Sequence, residues 1–383
     1  MNDKLIYLDN AATTKVRPEV LEAMLPYFSN YYANPSAVYN FSSKVRNDIS
    51  LAREVIADSL SASSREIYFT SGGTESDNWA IKLTALAYEE KGRHIITSKI
   101  EHPAVLSTCA YLESRGFELT YLNVDNEGFV SLEELEQSIR SDTTLISIMF
   151  ANNEIGTIQN IKAIGEIAKK HSVVFHTDAV QAYAHIPIDV KELGIDLLSA
   201  SAHKIGGSKG VGFLYIDSKL KIKSFIHGGS QERKRRAGTE NVPSIIGMAK
   251  AASLSLDTMN KSFEYTKNLQ SYLIERLRHE FEGVHINGSL EQRLAGNINV
   301  RFEKVSSEVL LIMLDNKNIC VSAGSACASG SLDPSHVLLA IGLDANAARE
   351  CIRISLSDEN TKEELDTLVE VLKEVIPKLR MMG

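Results

Sequence analysis

The sequence predicts an α/β fold, with a large domain built on a mostly parallel sheet covered by helices and a smaller α+β domain beside it. Three observations predict it. Apolar, β-branched runs alternate with amphipathic helical stretches over the first part of the chain. Near Leu254 that alternation gives way to a long helical pattern followed by further strands. The length of 383 residues exceeds what one compact core usually holds. The expected boundaries are 16–258 for the large domain, with 1–15 and 259–383 making up the small one.

The candidate strands of the large domain are residues 67–70, 94–98, 145–150, 173–176, 196–199 and 212–216. Helical stretches such as 161–171 lie between several of them, as crossovers between parallel strands require. Beyond Leu254, a helical stretch at 262–281 leads to strands near 297–302 and 319–322 and to helices at 307–315 and 362–379. No repeat, low-complexity tract or Pro/Gly/Ser-rich linker is present, so the domains are expected to share a rigid interface.

Composition narrows the class. Hydrophobic residues make up 44% and charged residues 23%, enough apolar material for a large core. A net charge of -8 argues against direct binding of nucleic acid. The basic run Arg233-Lys234-Arg235-Arg236 is short and reads as a solvated loop face. No signal-peptide apolar region follows Met1, and no apolar run approaches the ~18 residues that span a bilayer. Four cysteines in such a length are no disulfide framework, so a reducing cytoplasm is expected and no membrane.

Nearly every candidate strand runs into an unusual polar segment, and in an open α/β sheet ligands sit beyond the carboxyl ends of the strands. These segments are Ser71-Gly72-Gly73-Thr74-Glu75, Glu101-His102-Pro103, Asn152-Asn153-Glu154, Thr177-Asp178-Ala179-Val180-Gln181 and Ser199-Ala200-Ser201-Ala202-His203-Lys204. Their coincidence on one sheet edge implies a single site. The Gly72-Gly73-Thr74 turn before a helix suits a phosphate, through bare amides, a helix N-terminus and a hydroxyl; alone, it equally fits a capped helix start. Asp178 follows an apolar strand, and a buried carboxylate there needs a cation, either a protonated ring nitrogen or an internal partner. Lys204, partly desolvated, suits a Schiff base with an aldehyde, although a lone lysine is usually a surface residue. His102 has the chemistry to stack on a ring and move protons. No spacing matches a dinucleotide or nucleoside triphosphate loop, and His94, His102, His176 and His203 lack regular metal-ligand spacing.

These segments together resemble the cysteine desulfurases of the class V aminotransferase branch, fold-type I pyridoxal-phosphate enzymes. The resemblance runs from Tyr7-Leu8-Asp9-Asn10-Ala11-Ala12-Thr13-Thr14 to Ile352-Arg353-Ile354-Ser355. Its most specific stretches are Thr70-Ser71-Gly72-Gly73-Thr74-Glu75-Ser76-Asp77-Asn78, Asn152-Asn153-Glu154-Ile155-Gly156, His203-Lys204 and Ser325-Ala326-Cys327. It implies pyridoxal 5'-phosphate as cofactor, Lys204 as the lysine that takes its aldehyde and Asp178 as the partner of its ring nitrogen. Gln181 would bond the ring oxygen, His102 would stack and transfer protons, and Asn153 would lie close to the ring. Gly73, Thr74, Ser201 and His203 would hold the phosphate. Thr239 would reach the phosphate of a neighbouring subunit, which implies a homodimer with shared active sites.

Arg353 has support of its own. In Cys351-Ile352-Arg353-Ile354-Ser355-Leu356 the apolar residues alternate with Arg353 and Ser355, so a strand would turn the guanidinium opposite the apolar face. By resemblance it grips the α-carboxylate of L-cysteine with Asn34 beside it; an ordinary structural ion pair is the alternative.

Of the thiols, Cys109 lies on a helical core stripe, and Cys320 and Cys351 lie in apolar strands, where cysteines are buried and inert. Cys327 sits among Ser322-Ala323-Gly324-Ser325-Ala326 and Ala328-Ser329-Gly330-Ser331, with no large side chain to anchor it. A mobile, accessible thiol is expected there, able to take sulfur from cysteine as a persulfide, leave alanine, and carry the sulfur to an acceptor. That acceptor would be an iron–sulfur scaffold or a tRNA-thiolation enzyme. The family's usual histidine and glycine after Asn34-Pro35-Ser36 are replaced by Tyr39 and Ser42, Ile205-Gly206-Gly207-Ser208-Lys209-Gly210 lacks the common tyrosine and proline, and the chain stops at Met381-Met382-Gly383. These departures bear on acceptor and turnover. A related aminotransferase or selenocysteine lyase would share Lys204 and Asp178 without needing Cys327, and a relay protein would have lost catalysis.

Overall fold

Strands covered on both faces need apolar residues at odd and even positions alike, and the central strands have them. The computed structural model describes residues 4–323 and 333–382. In chain order its strands are β1 (Ile6–Tyr7), β2 (Ile67–Thr70), β3 (His94–Ser98), β4 (Glu118–Leu122), β5 (Thr143–Ser147) and β6 (Val174–Asp178). Then follow β7 (Leu197–Ser201), β8 (Gly212–Ile216), β9 (Val284–Asn287), β10 (Asn297–Phe302), β11 (Ile319–Cys320) and β12 (Cys351–Ser355). Ile96, Ile146, Phe175 and Leu198 point into one core, and their neighbours Ile95, Leu145, Val174 and Leu197 into another on the opposite face.

The large sheet has the order β2-β8-β7-β6-β5-β3-β4. Its neighbours are parallel except β8, which is antiparallel to both β2 and β7. Two reversals cancel, so β2, β3, β5, β6 and β7 all end on one edge. The mostly parallel α/β sheet expected from the sequence is therefore the observed one.

Several strand limits differ from expectation, for local reasons. β5 ends at Ser147, short of residue 150, because the Met149 amide turns to the Glu101 carboxylate (3.0 Å) instead of continuing the ladder toward β3. β6 includes Asp178, which pairs in register with Ser199 of β7. Edge strand β4 was not anticipated; its residues are half-exposed and mixed in polarity, so no apolar run marks it.

The helix Val242–Glu280 runs unbroken through the position where the pattern changes. Its first part buries Ile245, Met248 and Ala252 against the large-sheet core. Its last part buries Leu269, Leu273 and Leu277 against a separate core with Ile298, Val300, Ile352 and Ile354. The buried stripe changes direction midway, which hides one continuous helix from a search for one period. That second core covers a three-stranded antiparallel sheet, β12-β10-β9. It also takes Ile6 and Leu8, since β1 pairs in parallel with β11. The chain thus starts beside its C-terminal part and crosses to the large sheet through residues 9–14. Among the described residues no helix is long and apolar enough to cross a membrane.

Candidate active site

The common edge of β2, β3, β5, β6 and β7 collects the polar segments. At the end of β2, Gly72 has φ 148°, and the helix Gly73–Ala87 starts with no side chain capping it. A Cβ on Gly73 would come 2.6 Å from Val180 Cγ2, so only glycine lets this turn close on the β6 loop. Ser201, the last residue of β7, has its Oγ 3.7 Å from where a Cβ of Gly72 would be. An uncapped helix N-terminus and the Ser201 hydroxyl thus lie together, an arrangement suited to a phosphate.

Beside it, Asp178 ends β6 buried, with Oδ1 accepting from the Val180 amide at 2.9 Å. His102, at the start of the helix Pro103–Glu113, accepts the Ala104 amide on Nδ1 at 3.1 Å, which leaves Nε2 as its N–H position when neutral. Ligating atoms of His102, Asp178 and a third residue, Asp77, all lie within 4.8 Å of one another. Burial pushes the Asp178 carboxyl up, while the nearby charges of His102 and Lys204 and the Val180 amide pull it back.

Lys204 closes a short 3-10 turn after β7. Its Nζ donates to the carbonyls of Ala11 (2.6 Å) and Ala12 (2.7 Å). Gln181 Nε2 donates to the same Ala11 carbonyl at 2.9 Å. Residues 11–14 are held over this turn in return: the Thr14 amide and hydroxyl both donate to the His203 carbonyl, and His203 Nδ1 lies 3.1 Å from Thr13 Oγ1. His203 is kept neutral, with burial and the cations Lys204 and Lys209 pushing it down to about 4. The N-terminal crossing is therefore part of the site, which sequence reasoning had treated only as a matching motif.

On the small-domain side, β12 turns Arg353 away from the face that carries Ile352, Ile354 and Leu356 into the small-domain core, as the alternation predicts. The opposite face is covered as well, so Arg353 is only 1% exposed. Nη2 donates to Asp9 at 2.7 Å and Nη1 to the Asn153 carbonyl at 3.0 Å, while Nε has no hydrogen-bond partner among the described residues. The structural ion pair is present, and one edge of the guanidinium is left over. Asn153 is presented half-buried because buried Asn152 takes the turn's amides, Glu154 at 2.8 Å and Ile155 at 3.0 Å. Asn34 is exposed and accepts the Ser36 amide at 2.9 Å. Thr239 is exposed, just after Arg236, which pairs with Glu75 at 2.9 Å in the first turn beyond Gly73 and Thr74.

Cys327 lies outside the described residues. Of the other thiols, Cys109 and Cys351 are buried, and burial pushes both up to about 12, so neither is a nucleophile near neutrality. Cys320 is half-buried, not fully buried as expected, because among the described residues β11 has only β1 as a sheet neighbour.

A model of the class-V aminotransferase family matches residues 6–368. The chain is 56% identical over 381 residues to the cysteine desulfurase IscS of Methanosarcina thermophila, covering all of this chain and 94% of that one. The chain belongs to the class-V aminotransferase family, among its cysteine desulfurases. A solved NifS-like protein superposes with a TM-score of 0.93 at 40% identity, covering 98% of this chain and all of that one. Another, SspA in complex with cysteine, gives 0.83 at 41% identity over 93% of this chain and all of its own. Cysteine desulfurases of this family use pyridoxal 5'-phosphate, and this chain is such a pyridoxal-phosphate enzyme. The residues present fit that group, since the helix Gly73–Ala87 starts with no side-chain cap and Asp178 is a buried carboxylate near Lys204 and His102.

Sequence reasoning missed Asp77, Glu101, His176 and Asp9. Asp77 was legible in principle, because it shares a helix face with Ala80, Ile81 and Thr84, where an acid is out of place. Glu101 stood in one of the polar segments at a strand end but was given no role, and His176 was weighed only as a metal ligand.

Proposed function

We propose that the enzyme removes sulfur from L-cysteine with Lys204 binding the cofactor aldehyde, Asp178 facing its ring nitrogen and His102 handling protons. What carries the reading is the meeting of one lysine, one buried acid and one histidine beside an uncapped helix start. The bound cofactor supplies an electron sink for loss of the substrate's α-proton. Gly73, Thr74, Ser201 and His203 would hold its phosphate, Gln181 its ring oxygen, and Asn153 would lie against the ring. Arg353, with a guanidinium edge left over, would take the substrate carboxylate beside Asn34. The substrate assignment is supported by the similar SspA, solved with cysteine.

Cys327 would accept the sulfur. Its thiolate attacks the substrate sulfur, the carbon–sulfur bond breaks and alanine departs, leaving Cys327 as a persulfide. In total, cysteine and one enzyme thiol become alanine and one enzyme persulfide. The exposed Thr239 suits contact with a second copy, giving a homodimer with shared active sites in the cytoplasm. An acceptor protein, an iron–sulfur scaffold or a tRNA-thiolation enzyme, would then take the sulfur.

Cys327→Ser tests the thiol. Bound cofactor should be retained, alanine formation from cysteine should fall at least ~100-fold, and labelled sulfur should no longer stay on the protein. Wild-type alanine output from that variant would overturn the assignment.

A further inference from the structure

Beneath Asp178 lies a second carboxylate that none of the roles above uses. Asp77 projects from the helix Gly73–Ala87, is 1% exposed, and comes within 4.8 Å of both Asp178 and His102. Among the described residues its Oδ1 has no hydrogen-bond partner, and His176 Nε2 lies 3.6 Å from it. His176 offers no charge, because full burial keeps it neutral. It is held between the hydroxyls of Ser147 (2.8 Å) and Ser199 (3.0 Å), and the Ser199 hydroxyl also bonds Asp77. Glu101, at the end of β3, adds a third acid to this floor.

Two carboxylates this close and this dry do not both ionise at ordinary cost, so the pair holds a proton. Their surroundings decide which one. Asp178 has the Val180 amide, Lys204 and His102 on its side. Asp77 has a serine hydroxyl, a neutral histidine and two acids, and shares His102 with Asp178 within 4.8 Å while having no amide and no lysine of its own among the described residues. We propose that Asp77 is a positioning residue that carries this proton, so that Asp178 alone bears the negative charge turned toward the cofactor ring.

The role would be electrostatic. As a neutral acid, Asp77 completes a chain of uncharged donors and acceptors from Ser147 through His176 and Ser199. Once ionised, it would raise the negative potential at Asp178 and hold a proton on the ring nitrogen more tightly. The inference rests on the reading of Asp178 as the ring-nitrogen partner, and the test keeps the two apart.

Asp77→Asn and Asp178→Asn are compared in the full-length holoenzyme by cofactor affinity, by the absorption of bound cofactor against pH, and by unfolding against pH. Asp77→Asn should bind cofactor within about twofold of wild type at neutral pH with an unchanged spectrum. It should also lose a high-pH spectral titration that the wild type shows, and lose less stability as pH rises. A purely structural change would lower stability equally at every pH. Asp178→Asn should weaken cofactor binding at least ~10-fold and change the spectrum at neutral pH. If Asp77→Asn weakens binding and changes the spectrum as much as Asp178→Asn, or leaves both pH profiles as in wild type, Asp77 does not carry the proton. If Asp178→Asn is silent, the reading of Asp178 itself fails.

Discussion

Glu232 and Asp178 are both carboxylates buried against the large sheet, and the fold treats them in opposite ways. Glu232 takes both nitrogens of Arg53, at 2.7 and 2.8 Å, and the Phe69 amide of β2 at 3.1 Å. It does so from a backbone at φ 43°, the first of a left-handed run continued by Arg233 (56°) and Lys234 (66°). Such conformations cost roughly 1–2 kcal/mol per residue. The run is held by that ion pair, by Arg233 donating to the Ile67 carbonyl at 2.6 Å, and by its guanidinium 4.1 Å over the Tyr68 ring. At the other site the acids outnumber the cations, and Asp77 Oδ1 and Glu101 Oε2 have no hydrogen-bond partner among the described residues. A carboxylate with both oxygens answered by donors, one of them a cation, is holding structure together. A cluster short of cations keeps its electrostatic potential for something that binds there.

That contrast can be broken from either side. The largest effect belongs to Lys204→Ala, which should reduce alanine formation by on the order of 10³-fold or more while the chain still folds. Loss of the cofactor's lysine-bound absorption would accompany it; retention of both would remove Lys204 from the chemistry. Glu232→Ala should do the reverse. It leaves the half-buried Arg53 with only the Ile67 carbonyl and the Phe69 ring, and breaking a largely buried pair costs about 3 kcal/mol of stability. Activity per folded molecule should be unchanged at low temperature. A variant as stable as wild type in urea would mean that the left-handed run is held by Arg233 and Tyr68 instead.

How much was readable in advance follows the same division. Strands β2, β3, β8 and β10 appear where apolar runs stand between turn residues, because continuous burial leaves a continuous mark. Segments that carry unusual polar residues at strand ends also announced themselves, and they lie together because five strands end on one edge. What stayed hidden depends on contacts distant in sequence. Asp9 reaches Arg353 across 344 positions, and Ala11 meets Lys204 across 193; neither leaves a periodic trace. The exposed edge strand β4 and the change of face within Val242–Glu280 were obscured for a related reason, since burial there is partial or changes sides.

The subtlest difference between the two carboxylate sites is one of pH. Glu101 accepts from Ser98 Oγ at 2.6 Å and from the Met149 amide at 3.0 Å, yet full burial, with Asp178 adding to it, pushes it up to about 8. It is therefore protonated in the folded protein near neutrality, whereas in the unfolded chain it ionises near the ordinary glutamate value. A raised acid of this kind stabilises the fold fully below the unfolded value, and its contribution is lost as pH rises toward the folded one. Wild type should thus lose stability between about pH 5 and about pH 8, by roughly 3 kcal/mol from this group. Glu101→Gln has no proton to lose, so its urea midpoint should overtake that of wild type across that window. Parallel decline of the two would mean that Glu101 is ionised inside the fold, and that the acid floor beneath Asp178 has cations enough after all.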